Sequence, residues 1–432
     1  MPGETKKNRL PLILKGARQV GKTWILKELG RTGFKDFLYI NFENNPTMSD
    51  LFEGSINPHR IIEYLGALHG KKIIPEDTLL IFDEIQEVPR ALTSLKYFAE
   101  EAPEYPICSA GSLLGIALHE GTSFPVGKVD ILTLEPLTFH EFLLANDEHE
   151  LLLSLQNSGL EPLPLPLIEK LDDYLKKYFI IGGMPAALNT WIEQHDFFQV
   201  EITLKSILDT YQQDFSKHAP RSMVPKLRFI WNSIPSQLAR ENKKFLYRFV
   251  RSGARAREYE DALLWLLDCG LIRRVGRITK GAMPMKAYED LHDFKIYHLD
   301  GGLLRVMSQL PFQVILERNK VFEEFNGALT QQYVLQQLSS IIPDSIYYWT
   351  SEATAEVDFI FSDGTAIIPV EVKAGVNVKA KSLRVYMDRY KPQIAIRTSL
   401  SNVHRDGSLL NIPLSMVFHM ERYLELCKKP GP

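Results

Sequence analysis

The sequence predicts an α/β protein of several domains, the first built on a parallel sheet, and three observations carry that expectation. Short apolar runs alternate with helix-forming stretches between Leu10 and Ala110, the pattern of a doubly wound sheet whose strands are buried on both faces. A glycine-containing octet, Gly16 to Thr23, lies directly between the first run and the first helical stretch. At 432 residues the chain exceeds the size at which a single core keeps growing, so roughly two to four domains are expected.

A composition of 45% hydrophobic and 24% charged residues with a net charge of -3 excludes a disordered or fibrous chain. It also supplies no overall field to attract a polyanion, so any nucleic-acid contact must come from a local basic surface. The three cysteines, Cys108, Cys269 and Cys427, are odd in number and far apart. Neither a disulfide framework nor a clustered zinc site is expected, and a reducing cytoplasm fits. No stretch approaches the about 18 apolar residues of a spanning helix, so no membrane partner is expected. The Leu/Pro-rich piece Gly159 to Leu167 reads as a linker.

The elements follow in order. Leu10 to Lys15 is the first strand, and it leads into Gly16, Ala17, Arg18, Gln19, Val20, Gly21, Lys22 and Thr23, then into the helix former WILKELG. In the spacing GxxxxGK[ST] the glycines let the backbone curl so that successive N–H groups point at phosphates, and the helix N-terminus adds positive potential. Lys22 is expected to reach the β- and γ-phosphates of ATP, and Thr23 to ligate Mg²⁺ through its hydroxyl. Phe37 to Phe42 is the next strand. Thr78 to Phe82 is a fully apolar one that ends in Asp83 and Glu84, where Asp83 is expected in the Mg²⁺ shell and Glu84 as the group that polarises the attacking water. Tyr105 to Ala110 completes the series, and Ser112 just beyond it is a candidate sensor of the γ-phosphate, because ligands of such sheets sit at the carboxyl ends of the strands.

Further on, Ser206 to Phe215 and Leu227 to Leu238 read as helices. From Arg240 a basic stretch follows, with Lys243, Lys244, Arg248, Arg251, Arg255 and Arg257 interleaved with Phe245, Tyr247 and Phe249. Such a stretch can track a DNA backbone or simply form a solvated face. It ends in an amphipathic helix, Glu258 to Asp268, a turn at Gly270 and a strand, LIRRV.

Near the C-terminus Glu356 to Ser362 and Ala366 to Lys373 alternate with period two about Asp363-Gly364, a strong hairpin signal. Two central turn residues would set Asp358 opposite Pro369 and Glu356 opposite Glu371. Val357, Phe359, Phe361, Ile368, Val370 and Val372 would then form a core face, with Asp358, Glu371 and Lys373 on the other. That Asp…Glu-x-Lys set resembles the PD-(D/E)xK nucleases, in which two acids bind Mg²⁺ and the lysine assists the attacking water. A half-exposed hairpin would place polar residues there in any case.

The stretches GARQVGKT, YINFE, LLIFDEIQEVP, SAGS, LEPLTFHEFL and IGGMPAAL, and then ILDTYQQDFSK, FKIYHLDGGLL, VDFI and IPVEVKAG, resemble bacterial and archaeal AAA-type ATPases whose C-terminal half is a domain of unknown function. The resemblance covers nearly the whole chain. It implies a P-loop, AAA-like ATPase domain at residues 1–158, a helical and winged-helix-like region at 159–310, and a restriction-endonuclease-like α/β domain at 311–432. It further implies an ATP-hydrolysing switch or remodeller acting on DNA or a protein partner, capable of oligomerising, with an ATP-regulated Mg²⁺-dependent nuclease as the alternative. Two positions depart from the family pattern: Gly127-Lys128 stands where Gly-Arg supplies an arginine finger, and Gln331 stands where a helix contributes a glutamate to the nuclease-like site.

Overall fold

The structure, a computed structural model, describes residues 9–112, 125–240, 243–317, 323–352, 354–364, 366–375 and 380–428. It divides into two compact units: one runs up to Glu135 and takes in Leu264–Leu271, the other comprises Pro136–Leu263 and the chain from Ile272 onward.

In the first unit five parallel strands are ordered β2-β3-β4-β1-β5, with β1 at Leu12–Lys15, β2 at Asp36–Asn41, β3 at Thr78–Asp83, β4 at Ile107–Gly111 and β5 at Asp130–Thr133. Every residue of β3 and β4 is buried, as their largely apolar sequences require when helices cover both faces. Beneath the sheet, Phe42, Phe52, Phe82 and Phe98 meet edge to face at centroid distances of 5.5 to 6.3 Å, the preferred geometry for aromatic quadrupoles. Four of the five strands coincide with apolar runs. The fifth, β5, has all four residues exposed and pairs only with β1, so burial left no periodic signature in its sequence.

The second unit joins a layer of helices to an eight-stranded mixed sheet ordered β12-β13-β11-β10-β9-β8-β6-β7. Its strands are β6 (Ile272–Ile278), β7 (Glu289–His298), β8 (Tyr347–Thr350), β9 (Glu356–Ser362), β10 (Ile367–Val372), β11 (Ala395–Ser399), β12 (His404–Asp406) and β13 (Leu409–Pro413). Parallel pairing of β6 with β8 makes the β6–β7 ribbon continuous with the C-terminal hairpin.

A helix of unusual composition, Glu323–Ile341, holds this unit together. Gln331, Gln332, Gln336 and Gln337 are all buried on it, and buried amides must find partners. Gln337 accepts from the Phe139 N–H at 2.8 Å and Gln336 from the Gly301 N–H at 3.1 Å, while Gln332 both accepts from the His298 N–H and donates to its carbonyl. At the centre lies Asp300, fully buried, which accepts from the N–H of Gly183 at 2.6 Å, the N–H of Leu303 at 3.0 Å and the amide of Gln336 at 3.0 Å. The two glycine pairs in IGGMP and DGGLL meet here. A Cβ on Gly183 would stand 2.1 Å from the Leu137 carbonyl oxygen, and one on Gly302 would stand 2.5 Å from that of Ile181, so backbones approach in a way no larger residue permits. Among the described residues no helix is long and apolar enough to cross a membrane.

Candidate functional site

The P-loop joins β1 to the helix Lys22–Gly33. Gly16 has φ 149° and Gly21 φ 101°, and Gln19 also adopts positive φ. A Cβ on Gly16 would meet the Leu134 carbonyl oxygen at 2.3 Å, so the loop enters past β5 only as glycine. Gly21 caps the helix and offers no side-chain hydrogen bond to its first turn, which leaves backbone N–H donors for an anion.

Lys22 is buried, and its ammonium donates to the carbonyls of Gly16 at 2.9 Å and Ala17 at 2.8 Å and to Ser112 Oγ at 3.4 Å. Burial lowers its pKa to about 8, against the pull of Glu84 and Asp83. A desolvated ammonium with neutral partners gains most from a phosphate. Thr23 Oγ1 donates to Asp83 Oδ2 at 2.7 Å, so the hydroxyl and carboxylate expected around Mg²⁺ are adjacent. One carboxylate and one hydroxyl suit an ion that keeps waters and takes phosphate oxygens as its remaining ligands. Glu84 sits at φ 51°, its carboxylate accepting from Gln86 Nε2 at 2.7 Å and from Ser112 Oγ at 3.2 Å. ATP and Mg²⁺ therefore fit the residues present.

Sequence reasoning missed two members of this site. Tyr39 donates to Asp83 Oδ2 at 2.8 Å, and burial raises its phenol to about 12, so it stays a donor. Gln86 orients Glu84. Neither lies in the octet; Gln86 stands just past the end of β3, and that position was the available signal, whereas Tyr39 lies inside β2. Arg18 pairs with Glu43 at 3.4 Å, and Lys128 pairs with Glu100 at 3.0 Å.

The second candidate site lies in the other unit. The β9–β10 hairpin pairs Ile360 with Pro369 and Phe359 with Val370, so Asp358 stands opposite Glu371, two residues from the expected register. Asp363 causes the difference: its N–H donates to the Ala366 carbonyl and its side chain accepts from the Ala366 N–H, which makes it the first turn residue rather than a central one. Because the shift is even, the faces are kept. The hairpin is not half-exposed, since β9 beyond Glu356 and β10 beyond Ile367 are buried throughout.

Asp358, Glu371 and Lys373 are together, joined by Glu356, Gln331, Lys295 and Lys243. Asp358 accepts from Gln331 Nε2 at 2.5 Å and from the Val372 N–H at 2.8 Å, Glu371 Oε1 from Lys373 at 2.7 Å, and Glu356 from the buried Lys295 at 2.5 Å. Lys243, its pKa lowered by burial, feels Asp358, Lys295, Glu356 and Lys373. Both Asp358 oxygens are engaged, and ammonium groups occupy the neighbourhood a cation would need. Among the described residues no group of three or more His, Cys, Asp or Glu is placed to hold a metal ion. The Glu371 Oε2 atom is buried without a partner.

Burial and the facing Asp358 raise the Glu371 carboxyl to about 7 from its ordinary 4.5, against the pull of Lys373. The folded chain thus holds this proton more tightly than the unfolded one. The resulting stabilisation is complete below about 4.5, declines as pH rises, and is lost above about 7. Glu371→Gln, which cannot ionise, is expected to melt higher relative to wild type at pH 8 than at pH 5. A difference in melting temperature that is the same at both pH values would contradict this.

The basic stretch separates into two groups. Lys243 faces the hairpin cluster, Lys244 pairs with Asp293, and Phe245 is buried. Arg248, Arg251, Arg255 and Arg257 are exposed.

Comparison with protein families matches residues 8–143 to the model described as AAA domain, residues 172–313 to a domain of unknown function (DUF8612) and residues 326–417 to a domain of unknown function (DUF4143). A comparison with curated protein sequences returned no match. Among solved structures, the Walker-type ATPase PABY2304 of Pyrococcus abyssi is 14% identical, with 69% of this chain and 90% of that one covered at a TM-score of 0.41. The Aeropyrum pernix ORC1 protein in complex with DNA is 12% identical over 71% and 88%, TM-score 0.29, and the ADP form of Aeropyrum pernix ORC2 is 13% identical over 74% and 88%, TM-score 0.28. Residues 8–143 are thus similar to the AAA domain, and the parallel five-stranded sheet that bears the P-loop fits that match.

Proposed function

We propose that the chain hydrolyses ATP and uses the cycle as a switch or remodeller acting on DNA or a protein partner. The observation that carries this reading is the convergence of Lys22, Thr23, Asp83, Glu84 and Ser112 within hydrogen-bond reach at the ends of β1, β3 and β4. Thr23 and Asp83 would hold Mg²⁺, which when bound would supply positive charge against the phosphates. Lys22 would leave the Gly16 and Ala17 carbonyls for the phosphates. Glu84, held by Gln86 and Ser112, would accept the proton of the water that displaces ADP from the γ-phosphorus, and Ser112, touching both Lys22 and Glu84, would register whether that phosphoryl group is present.

The nuclease alternative draws support from the meeting of Asp358, Glu371 and Lys373, but their engagement with Gln331, Val372 and one another favours a docking role for the hairpin. Lys22→Ala is expected to abolish ATP binding, because the loop then loses its only buried cation among the described residues and nothing there offsets the phosphate charge. Calorimetric titration with ATP checks it, and a retained nanomolar or micromolar affinity would sink the assignment.

A further inference from the structure

We infer that the exposed face of the helix Val224–Leu238, with the loop beside it, is a docking surface for double-stranded DNA, the helix lying along the major groove. This rests on, and narrows, the DNA arm of the reading above.

From Arg221 to Arg257 the sequence holds ten Lys and Arg and a single acid, Glu241, a local excess that the near-neutral chain as a whole conceals. The fold sorts these residues. One side of the helix buries Leu227, Ile230, Trp231, Ile234 and Leu238; the other exposes Arg228, Phe229, Asn232, Ser236 and, just past its end, Arg240. At 1.5 Å per residue the row from Phe229 to Arg240 is about 16 Å long, enough to follow a groove past several base pairs. It bears no carboxylate.

Beside the row, the Arg240 guanidinium lies 3.7 Å from the centroid of the Phe249 ring, Arg248 lies 5.0 Å from the same ring, and Arg251 lies 5.5 Å from that of Phe229. Both rings are more than a third exposed. No described carboxylate forms an ion pair with Arg240, Arg248 or Arg251. Three guanidiniums thus lie beside rings without an ion pair to any described carboxylate, which reduces the ordering cost of gripping a phosphate.

The residue types fit a duplex better than a single strand. Asn232 and Ser236 occupy the middle of the exposed row, where side chains reach base edges in the major groove. An asparagine can bond an adenine edge through two atoms, and a serine suits any base. The arginines flank that middle, where phosphates lie. Phe249 already carries two guanidiniums, which leaves little ring for an unpaired base to stack on, the contact a single-strand surface needs.

The test uses the full chain without nucleotide and a labelled duplex of about 20 base pairs, with the single strand of the same sequence as a second probe, followed by fluorescence anisotropy through a salt series. With four arginines on the surface the duplex affinity is expected to fall with a log–log slope of roughly -4, and Arg240→Ala/Arg251→Ala should reduce it to roughly -2. Arg248→Ala alone should reduce it by about one, and covers the case in which the double variant fails to match the wild-type melting temperature. An unchanged slope, tighter binding of the single strand, or no binding of the duplex at 50 mM salt would overturn the inference. ATP turnover measured without DNA on the same preparations separates the two readings: hydrolysis retained while duplex binding is absent sinks only this one.

Discussion

Glu84→Gln is expected to bind ATP as the wild type does and to hydrolyse it at least about 100-fold more slowly, since a positioned general base contributes roughly 10²- to 10⁴-fold. Lys22 and Thr23 sit on the loop and helix that would cradle the phosphates, whereas Glu84 lies past the end of β3 and, among the described residues, its carboxylate bonds to Gln86 and Ser112. Glutamine has nearly the same shape and keeps contacts to both, so the cradle is undisturbed; what it cannot do is accept a proton from water. Affinity by titration and phosphate release over time report the two halves separately. Equal turnover by wild type and variant would remove Glu84 from the role of base and point to another acceptor.

The second large effect is on folding. Asp300→Ala is expected to destabilise the second unit by on the order of 4 kcal/mol, because three buried donors, the N–H groups of Gly183 and Leu303 and the Gln336 amide, lose their acceptor at about 1 to 3 kcal/mol each. Asp300→Asn should recover only part of this, since its amide hydrogens would face one of those donors. Urea unfolding of the two variants beside the wild type measures both numbers. A loss below about 1 kcal/mol for alanine would mean that water replaces the carboxylate and that the glycine pairs, rather than the acid, set this junction.

The parts of the fold and site that could be read from the sequence are those fixed by neighbours along the chain. The octet dictates its own backbone, and β3 announces itself because burial on both faces forces six residues to be apolar or to end the strand. The position of Glu84 follows from that ending. Tyr39 was hidden because its role depends on β2 and β3 lying side by side, a fact of sheet order rather than of any local pattern. The hairpin was half legible: alternation gave the faces of β9 and β10, but whether Asp363 opens the turn or sits within it depends on two hydrogen bonds to Ala366, and that choice decides whether Asp358 meets Pro369 or Glu371. The glutamines of Glu323–Ile341 were the least legible. Four amides on one helix look like a solvated face until the backbones of residues 139, 298 and 301 are brought against them.

The pairing of β6 with β8 has a consequence for how this chain is made and inherited. The two matched segments of unknown function, 172–313 and 326–417, contribute strands to one ladder, so neither can complete its hydrogen bonding alone. During synthesis the ribbon of β6 and β7 must wait, with one flank unsatisfied, until some 50 further residues have been added and β8 can close against it. A recombination event that separated the segments would leave each with an open flank prone to pair with other chains. The two stretches are therefore expected to fold as one unit, and either one expressed without the other to aggregate.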